Sequence, residues 1–203
     1  GRLVGSPKIL TRSTPNVAAV LTSKLLVGQA GSDLEQGLTS VRTTLSNLTA
    51  DSAGFLRDDA LLAVIALSNE DDYSAGSVQS YIDFFNTIKR PFASGARSWV
   101  FNFLGITTLS SSCTTSNSPG SVSEYIEVGS RYIGLVDASD GVKESICQAD
   151  WSGMVSNVKV RINQLMTDFY LNRKPKIASI VVTNNGASVP NNAVNGWTYE
   201  EKA

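Results

Sequence analysis

LLAVIALSNEDDYS, residues 61–74, is the stretch on which the fold turns. Residues 61–67 are apolar without interruption, and the run then breaks into Ser68, Asn69 and three acidic residues, Glu70, Asp71 and Asp72. A short run that is apolar at both odd and even positions fits a parallel strand covered on both faces. LAVIAL, residues 62–67, is therefore expected to be a central, fully buried strand. The acidic segment would then sit at the carboxyl end of that strand, where open parallel sheets bind their ligands.

Working outward, the neighbouring segments alternate in period. NVAAVLTSKLLVG, residues 16–28, reads as a helix, with Asn16 as a candidate cap and Val17, Val20, Leu21 and Lys24 at helical spacing. GQAGS, residues 28–32, is a glycine loop. In the segment that follows, Leu34, Leu38, Val41 and Leu45 form an amphipathic stripe, with Ser32 or Asp33 as its expected cap and Glu35 in its first turn. SVQSYIDFFNTIK, residues 77–89, is a further helix, and RSWVFNFLGIT, residues 97–107, a further strand. SEYIEVGSRY, residues 123–132, looks helical, and residues 150–166 read as a helix opened by Asp150. Strand alternating with helix predicts a doubly wound, mostly parallel α/β sheet over residues 1–170. The tail, residues 171–203, changes character: IASIVV, the turn signal NNG, SVP and NGWTY read as short antiparallel strands forming a β-rich appendage. Trp197 and Tyr199 are expected to pack that appendage onto the domain, the alternative being binding aromatics, and Trp151 to anchor a helix start.

Composition narrows the function. The 203 residues are 42% hydrophobic, enough to bury a core, and carry a net charge of −1, which gives no basic surface for nucleic acid. There is no histidine, which excludes a Ser-His-Asp or Cys-His mechanism within the chain and removes the commonest zinc ligand. No apolar run approaches the roughly 20 residues that span a bilayer. Only 17% of residues are charged, a balance commoner in exported than in cytosolic proteins. The two cysteines, Cys113 in the polar loop SSSCTTSNSPGS and Cys147, suggest one disulfide, the alternative being two separate buried thiols. Pairing would contribute about 3 to 4 kcal/mol through the entropy of the unfolded chain.

For the acidic loop three chemistries compete. It could face the glycine loop GQAGSD and hold a hard cation such as Mg²⁺ or Ca²⁺ through oxygen ligands. It could be an acidic turn that caps the helix at Ser77. Carboxylate pairs for glycoside chemistry, Asp58 with Asp59 or Glu70 with Asp72, are the third, but nothing in the spacing sets a catalytic separation. The chain is read as non-enzymatic.

Four segments together resemble a von Willebrand factor A-type domain, specifically a bacterial exported subgroup. They are VGQAGSDLEQGL at 27–38, GFLRDDALLAVIALSNEDDYS at 54–74, SICQADW at 145–151 and SIVVTNNGASVPNNAVNGWTY at 179–199. The resemblance implies the doubly wound α/β fold. It also implies a metal-ion-dependent adhesion site built from a D-x-S-x-S after the first strand, a threonine in a second loop and an aspartate after the central strand. This chain departs from all of them. No D-x-S-x-S occurs; it would lie ahead of Gly1, so the domain is expected to be N-terminally incomplete. The threonine position falls at about Gln29 and the aspartate at Asn69, so that Gln29, Ser32, Asn69 and Glu70 are the family's metal positions in degenerate form. Neutral Gln and Asn oxygens remove the charge that holds a hard cation. The expectation is no cofactor, or a weakly bound Mg²⁺ or Ca²⁺. The subgroup also tends to pair the cysteine of SICQADW with one in an earlier loop, which implies a Cys113–Cys147 bond and an oxidising, extracytoplasmic location. The expected function is an exported protein-binding or adhesion module that uses the loop rim. The alternative is an assembly subunit of a surface appendage or secreted complex, its partners being neighbouring subunits.

Overall fold

The computed structural model describes residues 3–27, 34–46, 54–92, 95–109, 127–147, 150, 152–167, 169, 171 and 173–201. The chain divides into two units, one of Gly1–Phe92 with Arg97–Asp168 and one of Ala93–Ala96 with Phe169–Ala203. Element order in the first is α1 (Val17–Leu25), α2 (Gly37–Ser46), β1 (Leu62–Ser68), α3 (Val78–Ile88), β2 (Trp99–Gly105), α4 (Ser130–Ser139), β3 (Lys143–Ser145) and α5 (Ser152–Thr167). The strands form a parallel sheet in the order β1-β2-β3. The first unit is thus a mixed α/β structure around a parallel sheet.

The central strand is β2, not β1. All of WVFNFLG is buried, because both faces of β2 are covered and both edges are paired. Trp99, Phe101 and Phe103 point to one face, where they meet Leu38 and Leu45 of α2, Tyr81 and Phe85 of α3, and Tyr132, Leu135 and Val136 of α4. Leu104 points the other way and packs with Ile146, Cys147, Met154 and Val158, so α5 covers that side. Aromatic stacking orders the larger core: Phe85 lies on Trp99 at 4.9 Å between ring centroids, and Tyr132 on Phe103 at 5.0 Å. Pairs of this kind contribute about 0.5–1.5 kcal/mol each beyond burial. Asn102 is the one polar side chain in β2, and it is fully buried. Its amide donates to the Val64 carbonyl of β1 at 3.1 Å and its oxygen accepts from the Val142 N–H beside β3 at 3.0 Å, so it ties the strand on either side.

The expectation of a fully buried LAVIAL is overturned. Among the described strands β1 lies at the sheet edge, and its burial alternates. Leu62, Val64 and Ala66 pack against the aromatic core, whereas Ile65 and Leu67 are 53% and 57% exposed. A strand apolar on both faces announces only that each face tolerates burial; which neighbours cover it is set by the tertiary structure. The turn leading into β1 is held by Lys89, whose buried ammonium donates to the carbonyls of Arg57 and Ala60. Burial lowers its pKa from the ordinary lysine value.

Other expectations are corrected at element ends. α1 forms but buries none of its residues, and Asn16 adopts a left-handed conformation with no side-chain cap bond. α2 starts at Gly37, so Leu34 is exposed outside it while Leu38 and Leu45 are buried. The expected caps Ser32 and Asp33 lie outside the described residues. Of the expected helix at 123–132, residues 127–129 are not helical and the helix runs instead from Ser130 to Ser139. Just ahead of it, Gly129 packs tightly under Phe103: a Cβ there would lie 2.3 Å from the ring. The three-residue strand β3 has no strand periodicity in KES; it pairs with β2 from Phe103↔Lys143 to Gly105↔Ser145. α5 begins as expected, with Asp150 accepting from the Ser152 N–H at 2.9 Å. Hydrogen bonds from Ser152 hold the Asp150 carboxyl below the usual carboxylate range. Trp151 lies outside the described residues.

In the second unit, Ile177–Ser179 is a 3₁₀ turn rather than a strand, and β4 (Val182–Asn184) pairs antiparallel with β5 (Ala187–Val189). The two-residue loop Asn185-Gly186 has φ values of 50° and 83°, the conformation that favours Asn-Gly in tight hairpins. Trp197 donates from Nε1 to the Val189 carbonyl at 3.1 Å and pairs with Asn191, so it closes the hairpin's C-terminal extension.

Candidate functional site: the rim after the first strand

β1 and β2 run parallel and in register from Leu62↔Trp99 to Ser68↔Gly105, so the segments that follow them leave the same end of the sheet. The loop after β1 opens with Ser68, whose hydroxyl accepts from the Glu70 N–H at 3.2 Å. The Asn69 carbonyl accepts from the Glu127 N–H at 3.3 Å, and the Glu35 carbonyl from the Tyr73 N–H at 2.7 Å. Three chain segments distant in sequence thereby meet on one rim.

The acidic side chains have structural employment there. Asp72 is 3% exposed. Its Oδ1 accepts from the Leu38 N–H at 2.9 Å and the Ser74 hydroxyl at 2.9 Å; its Oδ2 accepts from the Ser74 N–H at 3.1 Å and from Arg131 Nε at 3.3 Å. The Ser74 oxygen accepts in turn from the Thr39 N–H at 2.8 Å. Leu38 and Thr39 are the second and third residues of α2, whose amides have no partner within the helix. The residue ahead of α2 is Gln36, a poor cap, and the loop supplies the missing acceptors from 34 and 35 positions away. Asp71 does the same for α4. Gly129 offers no side-chain cap, and Asp71 Oδ1 accepts from the Arg131 N–H, in the first turn, at 2.9 Å. Both carboxylates also sit at the positive ends of helix dipoles. Arg131 closes the loop from the other side, donating from Nη2 to the carbonyls of Ser74 at 3.0 Å and Gly76 at 2.7 Å. The helix at Ser77 needs nothing from the acidic loop, because Ser77 accepts from the Ser80 N–H itself. The expected alternative of an acidic turn capping that helix is corrected: the capping is real, but of α2 and α4.

Two tyrosines record the charge of the rim. Tyr132 lies beneath it; burial first, and then the negative charges of Asp72, Glu35 and Asp71, push its phenol far above the ordinary tyrosine range. Tyr73 stands on the surface, 48% exposed, and donates to Glu127 Oε2 at 2.6 Å. That bond, followed by desolvation and the charges of Glu127, Glu70 and Asp71, raises its pKa.

Of the positions where the resemblance would put metal ligands, Asn69 and Glu70 fall on this rim, while Gln29 and Ser32 lie outside the described residues. Among the described residues no group of three or more His, Cys, Asp or Glu is placed to hold a metal ion. Asp58 and Asp59 lie on an exposed turn. Cys147 is buried against Leu104 and Met154, no free cysteine is found among the described residues, and Cys113 lies outside them. No described helix is long and apolar enough to cross a membrane. Neither Arg131 nor these long-range caps is marked by any local sequence pattern. The available signal was weak and negative: the residue directly ahead of α2 is Gln36, a poor cap.

Fold and rim together define an α/β protein with a parallel sheet and, at the strand ends, a loop whose carboxylates cap two helices. No family model, curated protein or solved structure matches the chain.

Proposed function

We propose that the α/β unit is a von Willebrand A-type, doubly wound domain that acts as an exported protein-binding module, without enzymatic activity and without a tightly bound metal. The observation that carries this reading is the use made of the acidic loop. Asp71 and Asp72 cap α4 and α2, while Tyr73 stands exposed beside Glu127 on the same rim. Hydrogen bonds to Asp72 from Leu38, Ser74 and Arg131, and to Asp71 from the Arg131 N–H, tie the loop to α2 and α4, and a preorganised surface loses less entropy on binding. Tyrosine is the kind of side chain that anchors protein interfaces. A hard cation needs anionic oxygens free to turn toward it, and both oxygens of Asp72 already accept hydrogen bonds. The test is a photo-crosslinking amino acid at Tyr73, with Gln79 on the exposed side of α3 as control. A discrete adduct with an envelope protein is expected at Tyr73 alone. It should be competed by the wild-type chain, not by a Tyr73→Ala, Glu127→Ala chain, and should be insensitive to chelator. Equal adducts at both positions, or loss with chelator, would sink the reading.

The exported location rests on the Cys113–Cys147 pairing that the resemblance implies. Intact mass after alkylation checks it, and two alkylated thiols in unreduced protein would refute it. The second reading, an assembly subunit whose partners are neighbouring subunits, is favoured by the bare apolar side chains of Ile65 and Leu67 on β1. Concentration-dependent oligomers in sedimentation, lost in Ile65→Lys, would support it over the rim.

A further inference from the structure

We draw no further inference here: the strongest candidate, the apolar face of the edge strand β1 formed by Ala63, Ile65 and Leu67, carries none because nothing among the described residues shows what covers it.

Discussion

Replacing Asp72 with alanine separates the capping role of the acidic loop from a metal-binding one. The change removes the acceptor for the Leu38 and Ser74 amides and the Ser74 hydroxyl, and the partner of Arg131. Loss of a helix cap costs about 0.5–2 kcal/mol, and a hydrogen bond to a charged group is worth about 1.5–3 kcal/mol. Breaking a buried ion pair costs about 3–5 kcal/mol when the charge left behind stays buried. Arg131 is 25% exposed at its side chain and can recover part of its hydration, so the full ion-pair penalty does not apply. The contributions share one carboxylate and do not add. About 3–4 kcal/mol of destabilisation is expected for Asp72→Ala in urea unfolding. Asp72→Asn keeps an acceptor for Leu38 but turns an amide donor toward the Ser74 N–H and Arg131, and should cost about half as much. Amide exchange at Leu38 and Thr39 should accelerate ahead of the rest of α2. The companion measurement is wild-type stability with and without millimolar Mg²⁺, Mn²⁺ or Ca²⁺. A ligand at 100 times its dissociation constant stabilises by about 2.7 kcal/mol. No shift is expected. A loss below about 0.5 kcal/mol in Asp72→Ala, or a metal-dependent gain in the wild type that Asn69→Ala abolishes, would refute the reasoning and return the loop to an adhesion-type metal site.

Asn102→Leu should destabilise by about 2–4 kcal/mol, because the Val142 amide and Val64 carbonyl lose their side-chain partner; a neutral result in urea unfolding would show that the asparagine does not bridge the strands. Gly37→Ala should lower stability despite alanine's better helix propensity, since its Cβ would lie 2.3 Å from the Tyr132 hydroxyl. In a double-mutant cycle Tyr132→Phe should recover part of that loss, and strict additivity would contradict the geometry. Tyr132 also sets an alkaline limit. Its native pKa is raised above the ordinary value of 10.0, so above that pH the unfolded chain releases a proton that the folded chain keeps. Its contribution is intact below pH 10 and is lost above it, by up to about 1.4 kcal/mol per pH unit, and Tyr132→Phe should flatten that part of the stability profile.

The amino-acid sequence by itself determined the elements whose periodicity is strong and whose partners are local. α3 reads from the amphipathic pattern of SVQSYIDFFNTIK, α5 from Asp150, and the β4–β5 turn from Asn185-Gly186, because each signal acts within a few residues. β1 and β2 were both legible as strands. Their ranking was not: LAVIALS and WVFNFLG are each apolar on both faces, and only assembly of the sheet decides that β2 is enclosed while Ile65 and Leu67 are bare. The rim divides in the same way. Its acidic residues and its place at a strand end follow from SNEDDYS, but the destination of each carboxylate does not. Asp72 is 34 residues from Leu38, and Asp71 is 60 from Arg131. A hydrogen bond of that span leaves no periodic trace along the chain; it exists only once packing has brought the starts of two uncapped helices to the end of the same strand.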